Sequence, residues 1–203
     1  MKTLLMLLII TSLLAPLAMA AVRTSAVDYK QGDAVLEGYT AYKEGMTGKA
    51  PGVLIVPDWM GLGDHYKKIA EKLANLGYIA FAADIYGKGV RPKDSKQAAA
   101  EAGKYKADRG LMRQRVLAAL EELKKNRNVD TSRIAAIGYC FGGTVVLELA
   151  RSGAPVAGVV TFHGGLDTPT PDDAKNIKAK VLVLHGADDP FVPPDQVAAF
   201  RTK

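Results

Sequence analysis

Cysteine is almost absent from this chain. A single residue, Cys140, stands in 203, so no intramolecular disulfide can form. The fold must rest on its hydrophobic core, which this length can supply without staples. Histidine is scarce as well: only His65, His163 and His185 occur, and no spacing among them and Cys140 resembles a zinc site. Neither a metal nor an organic cofactor is expected. After the first twenty residues no apolar run approaches the roughly 20 residues needed to cross a bilayer, so no stable membrane insertion is expected once that segment is removed. Charge of one sign is not concentrated either. The net charge is +6, yet the basic residues of "EELKKNRN" alternate with acidic ones, as on a solvated helix face. No nucleic-acid motif accompanies them, and a nucleic-acid partner is not expected. The oligomeric state is not legible.

The first twenty residues, "MKTLLMLLIITSLLAPLAMA", carry Lys2, an apolar stretch from Leu4 to Leu17, and the small-x-small site Ala18-Met19-Ala20. That is the pattern of a secretory signal peptide. Residues 1–20 are therefore expected to be removed and 21–203 to form one exported domain, periplasmic or secreted. An uncleaved anchor helix is the alternative, for which the apolar stretch is short. Export sharpens the meaning of the lone thiol. In an oxidising compartment it is buried and inert, paired with another molecule, or reactive by purpose.

What is present is a regular alternation. The runs "GVLIVP" (52–57), "YIAFAAD" (78–84), "RIAAIGY" (133–139), "VAGVVTFHG" (156–164) and "KVLVLHG" (180–186) are apolar on both faces, as strands of a buried parallel sheet are. The alternating segment 33–42 predicts an antiparallel edge strand. Helical stripes separate the runs: "GDHYKKIAEKLANLG", closed by Gly77, then "DRGLMRQRVLAALEELKKN", "GGTVVLELARSG" and "PPDQVAAFRTK". The interval 88–110 holds no strand and has room for a helix. Such alternation predicts an α/β sandwich around a mostly parallel central sheet, with functional groups at the carboxyl ends of the strands.

Cys140 sits at such an end, in Gly138-Tyr139-Cys140-Phe141-Gly142. A strand ends before it and a helix starts after it, as in a Gly-x-nucleophile-x-Gly elbow with cysteine in the nucleophile's place. The sharp turn needs small neighbours two residues away on each side, and Gly138 and Gly142 satisfy it. The following helix N-terminus offers N–H groups to an oxyanion and favours thiolate over thiol. A buried structural cysteine is the alternative. A thiol nucleophile needs a base and an orienting acid, and in this architecture the order is nucleophile, acid, histidine. "HGADDPFVPP" supplies Asp189 as the acid, with Asp188 the alternative. All three histidines precede Asp189. His163 and His185 lie at strand ends, on the correct rim, but chain order assigns them supporting roles. The base is accordingly expected beyond residue 203, with a last strand and helix, and these 203 residues are expected to be inactive or nearly so.

In "GDAVLEGYTAY", "GVLIVPDWMGLGDHYKKIAEKLANLGYIAFAADIYG", "IGYCFGGTVV", "TFHGGL" and "LHGADDPFVPP" the chain resembles the dienelactone hydrolase family of α/β hydrolases, from about Tyr29 onward. The resemblance implies a hydrolase of small ester or lactone substrates acting through an acyl-thioenzyme, with Cys140 as nucleophile and Asp189 as acid. It implies an oxyanion hole from the backbone N–H groups of Trp59 and Phe141. It also places Asp58 where the family keeps a thiol-activating glutamate, one methylene longer. Tyr105 and Arg91 lie in the region where the family grips a substrate carboxylate. A general carboxylesterase or thioesterase, and a non-catalytic binding or thiol-sensing protein on the same scaffold, are the rival readings.

Overall fold

Residues 21–202 are described by the structure, a computed structural model; the expected leader, 1–20, lies outside them. Seven strands form one sheet: β1 (Val22–Gln31), β2 (Ala34–Lys43), β3 (Ala50–Val56), β4 (Ile79–Ala82), β5 (Val129–Tyr139), β6 (Gly158–Phe162) and β7 (Lys180–Leu184). Their spatial order is β1-β2-β4-β3-β5-β6-β7. The first two strands form a hairpin and β2 runs antiparallel to β4, while every pairing from β4 across to β7 is parallel. This is the α/β-hydrolase arrangement expected from the alternation of runs. One expectation is corrected. The segment 33–42 is an antiparallel strand but not the edge, because β1 pairs along its whole length. Gly32, at φ 57°, makes the tight turn between them, a backbone that glycine adopts without strain.

Helices cover both faces. Helix α1 (Asp64–Asn75) lies on one side, where Tyr66, Ala70 and Ala74 pack on Val53, Ile55, Ala80 and Ala82. Gly77, at φ 93°, ends it just past Leu76, as a left-handed C-terminal residue does. On the other face, α3 (Arg109–Lys124) and α4 (Phe141–Arg151) bury Met112, Val116, Leu120, Val145 and Leu149 against Leu54, Val56 and Ile134. The alternation of Val53 and Ile55 with Leu54 and Val56 between the two clusters shows why this run had to be apolar throughout. Helix α2 (Ser95–Ala107) occupies the interval that held no strand. The Asp94 carboxylate caps it by accepting from Gln97 N, and Asp108 caps α3 through Leu111 N, each satisfying an otherwise orphaned amide. Helix α5 (Pro194–Arg201) starts on a proline.

Helix α4 is buried along its entire length and carries Glu148 into the interior. That carboxylate accepts from Arg113 Nε at 2.8 Å and from an Arg151 terminal nitrogen at 2.9 Å. The other arms of these guanidiniums reach Asp173 and the Leu166 carbonyl, and Arg109 holds Asp167 at 2.7 Å. The long loop after β6, with its 3-10 turn at Pro171–Asn176, is thereby tied to α3 and α4. Opposite β1, the other margin among the described strands is β7, whose Val181, Leu182 and Leu184 remain exposed.

Candidate active site

Strand β5 leads directly into α4, and Cys140 is the single residue between them, at φ 52° and ψ −114°. A non-glycine residue at such angles is strained, at a cost on the order of 1–3 kcal/mol, and such strain collects at functional sites. The glycines around it leave no alternative. A Cβ on Gly138 would lie 2.0 Å from the Gly142 carbonyl oxygen, and one on Gly142 would lie 2.2 Å from that of Val56. Both are backbone contacts that cannot move aside. The turn is held from β6 as well, where the Phe162 carbonyl accepts from Cys140 N at 2.9 Å.

The thiol is half-buried. Burial pushes its pKa up, the Phe141 N–H beside it pulls down, and the Asp58 charge pushes up again, with smaller effects of Lys106 and Asp189. The thiolate-favouring helix end expected from the sequence is therefore present, but desolvation outweighs it. The balance favours the thiol over the thiolate.

Phe141 N–H faces the sulfur. Among the described residues, no protein acceptor takes the N–H of Trp59. The Trp59 peptide is braced from its other side, since Tyr86 donates its hydroxyl to the Trp59 carbonyl at 2.9 Å. Tyr86 in turn packs on Tyr105 and Phe141, with ring centroids 5.5 Å apart in both pairs. A narrow cleft at this point is lined by Pro57, Asp58, Gly61, Ile85, Tyr86 and Phe141. Asp58 is at its rim, where one carboxylate oxygen accepts from Met60 N at 2.8 Å. No hydrogen bond joins Asp58 to Cys140 among the described residues, in keeping with its short side chain.

Two residues of the substrate-gripping region are committed elsewhere. Arg91 donates from Nε to the Leu62 carbonyl and from a terminal nitrogen to the carbonyls of Val90 and Gly87. Tyr105 is buried and donates to the Tyr86 carbonyl at 3.1 Å. Both brace loops at the strand ends.

Asp189 lies in the loop after β7. Its Oδ1 accepts from Phe191 N at 2.9 Å, and its Oδ2 lies 2.7 Å from His163 Nδ1. His163, foremost, and the Phe191 amide hold its pKa below the ordinary carboxylate value. His185 is farther, at 3.9 Å, and Asp188 takes no part in this set of contacts. The histidine beside the acid is therefore His163, which chain order alone discounts. Its signal was present in the topology, because β6 adjoins β5 and their last paired residues are Tyr139 and Phe162. Cys140 and His163 each follow one of these. Among the described residues, no cluster of three or more potential metal ligands occurs.

Comparison with known proteins places the fold. The protein m3DLH superimposes with a TM-score of 0.86 at 42% identity, over 90% of this chain and 76% of that one. A dienelactone hydrolase-like promiscuous phosphotriesterase from metagenomic libraries gives a TM-score of 0.84, with the same identity and coverage. The Bradyrhizobium protein named "Probable 2-oxo-3-(5-oxofuran-2-ylidene)propanoate lactonase" is 27% identical over 194 residues, 90% of this chain and 78% of its own length. The model of the dienelactone hydrolase family matches residues 36–203. With that match over most of its length, the chain belongs to the dienelactone hydrolase family and is an α/β hydrolase of the lactone and ester type.

Proposed function

We propose that this hydrolase is exported and cleaves carboxylic esters or lactones through an acyl-thioenzyme on Cys140. The backbone of Cys140 carries the reading: a strained φ of 52° between a strand and a fully buried helix, enforced by glycines that cannot accept a Cβ. An inert core cysteine needs no such turn.

In the proposed reaction Sγ loses its proton to an imidazole oriented by Asp189, which chain order puts after the acid. Sγ then bonds to the substrate carbonyl carbon, and the carbonyl oxygen becomes an oxyanion held by the N–H groups of Trp59 and Phe141. Collapse breaks the bond to the alkoxide, which takes the proton back from the imidazolium. Water then repeats the sequence in place of the thiol and releases the acid. Burial above all keeps the resting thiol protonated, and Asp58, without a hydrogen bond to the sulfur, adds to this through its charge until substrate arrives. Members named as a lactonase and as a phosphotriesterase motivate a test panel of cyclic enol-lactones, simple acyl esters, thioesters and phosphotriesters.

The test combines mass spectrometry with turnover of that panel. Brief incubation with an activated acyl ester should add one acyl mass at Cys140, and Cys140→Ala should abolish both adduct and turnover. A thiol that alkylates only after denaturation would sink the nucleophile. Turnover of acyl esters without lactones would make the protein a general esterase. Export is tested separately: the N-terminus of the mature protein should begin at Ala21.

A further inference from the structure

The proposed triad leaves one contact unexplained, the 2.7 Å approach of His163 Nδ1 to Asp189 Oδ2. His163 is not a casual surface residue. Besides Cys140 it is the one non-glycine residue with positive φ among those described, at 51°. Its amide donates to the Leu184 carbonyl at 2.8 Å, which fixes it to the end of β7 just ahead of the acid loop. The two strained residues also stand side by side. Tyr139 pairs with Phe162, and each strained residue follows directly after its strand, in strands spaced about 4.8 Å apart. Strain stored at two neighbouring positions is a mark of function rather than of packing.

The carboxylate of Asp189 is the object of this arrangement. Phe191 N–H holds one oxygen and His163 the other, while the carboxylate keeps further lone pairs for a second imidazole. Next to a carboxylate, Nδ1 carries the proton and donates it. Among the described residues, Nε2 of His163 makes no hydrogen bond to Cys140 or to any other group, so the contact that defines its role is with the acid.

We propose that His163 is a positioning residue: it donates from Nδ1 to Asp189 Oδ2 and locks the carboxylate in its orienting pose for the catalytic histidine. The inference rests on Asp189 being the triad acid. It assigns a function to the "TFHGGL" stretch and couples the exits of three neighbouring strands, with the nucleophile after β5, the strained histidine after β6 and the acid after β7.

The experiment uses the protein with its triad histidine present, carrying His163→Ala or His163→Asn, because the asparagine amide can donate from nearly the place of Nδ1. Carboxyl-carbon NMR should find Asp189 titrating below the ordinary carboxylate value in the wild type and in His163→Asn. In His163→Ala it should move back up. Hydrolysis of a p-nitrophenyl ester should fall about tenfold in kcat in His163→Ala with KM unchanged, the loss of one charge-assisted hydrogen bond, and His163→Asn should recover most of it. An Asp189 titration unmoved in His163→Ala would overturn the proposal. So would His163→Asn as impaired as His163→Ala, which would make His163 the base instead. Cys140→Ala separates the two readings. Hydrolysis that survives it defeats the acyl-thioenzyme, whereas the Asp189 titration still decides the role of His163.

Discussion

At the scale of single residues, the elbow is made by what is missing from its glycines. Gly142→Ala would drive a methyl to 2.2 Å from the Val56 carbonyl oxygen and 2.4 Å from that of Pro57, and neither is a flexible side chain. Overpacking against backbone costs about 3 kcal/mol or more. A lowered urea midpoint, together with loss of Cys140 reactivity toward iodoacetamide, is the expected result. The thiol itself gives a pH signature. Burial, its largest influence, raises its pKa in the folded state, so folding favours the protonated form. That contribution is complete below the ordinary thiol value of about 8.5 and is lost as pH rises through the folded value. Wild-type stability should therefore decline above about pH 8.5 more steeply than that of Cys140→Ala, as denaturant titrations across pH 7–10 would show.

At the scale of elements, α4 ties the site to the rest of the fold. Glu148 lies fully buried between Arg113 and Arg151. Removing one partner of such a cluster leaves uncompensated buried charge and costs about 3–5 kcal/mol. Glu148→Ala should show that loss in equilibrium unfolding, with Glu148→Gln milder because the amide oxygen still accepts. The elements themselves were legible in proportion to how one-sided their environment is. The runs that became β3 to β6 are apolar because both faces of the parallel sheet are covered there, and the runs show it directly. Strand β1, "VRTSAVDYKQ", has no such signature: most of it is exposed, and only pairing with β2 makes it a strand. Helix α2 is capped and alanine-rich with a weak apolar stripe, so its place could be read but not its limits. In the site, Cys140 and its glycines were legible because local backbone sterics demand them. The His163–Asp189 contact was not, because it depends on how the ends of β6 and β7 converge, which no local pattern records.

At the scale of the whole molecule, exposed apolar surface is unevenly placed. Strand β7 exposes Val181, Leu182 and Leu184, and Phe191 nearby is among the most exposed large apolar side chains. An open apolar strand at a sheet margin is a template for intermolecular pairing. For residues 21–203 on their own, light scattering against concentration should detect self-association, and Leu182→Lys should reduce it. The substitution should change stability by no more than about 0.5 kcal/mol, because the side chain is already half exposed. Circular dichroism would check that the fold is retained.

The start of α4 and the exit of β6 also have a consequence for how the active centre can change. A Cβ on Gly143 would meet Thr161 Oγ1 at 2.4 Å and Gly164 Cα at 2.8 Å, and one on Gly164 would meet the Gly143 backbone at 2.6 Å. The two segments mesh like gear teeth with no clearance. The scaffold around residue 140 is thus rigid machinery indifferent to the atom it presents, and replacing sulfur with oxygen in Cys140→Ser alters the reagent without retooling the mount.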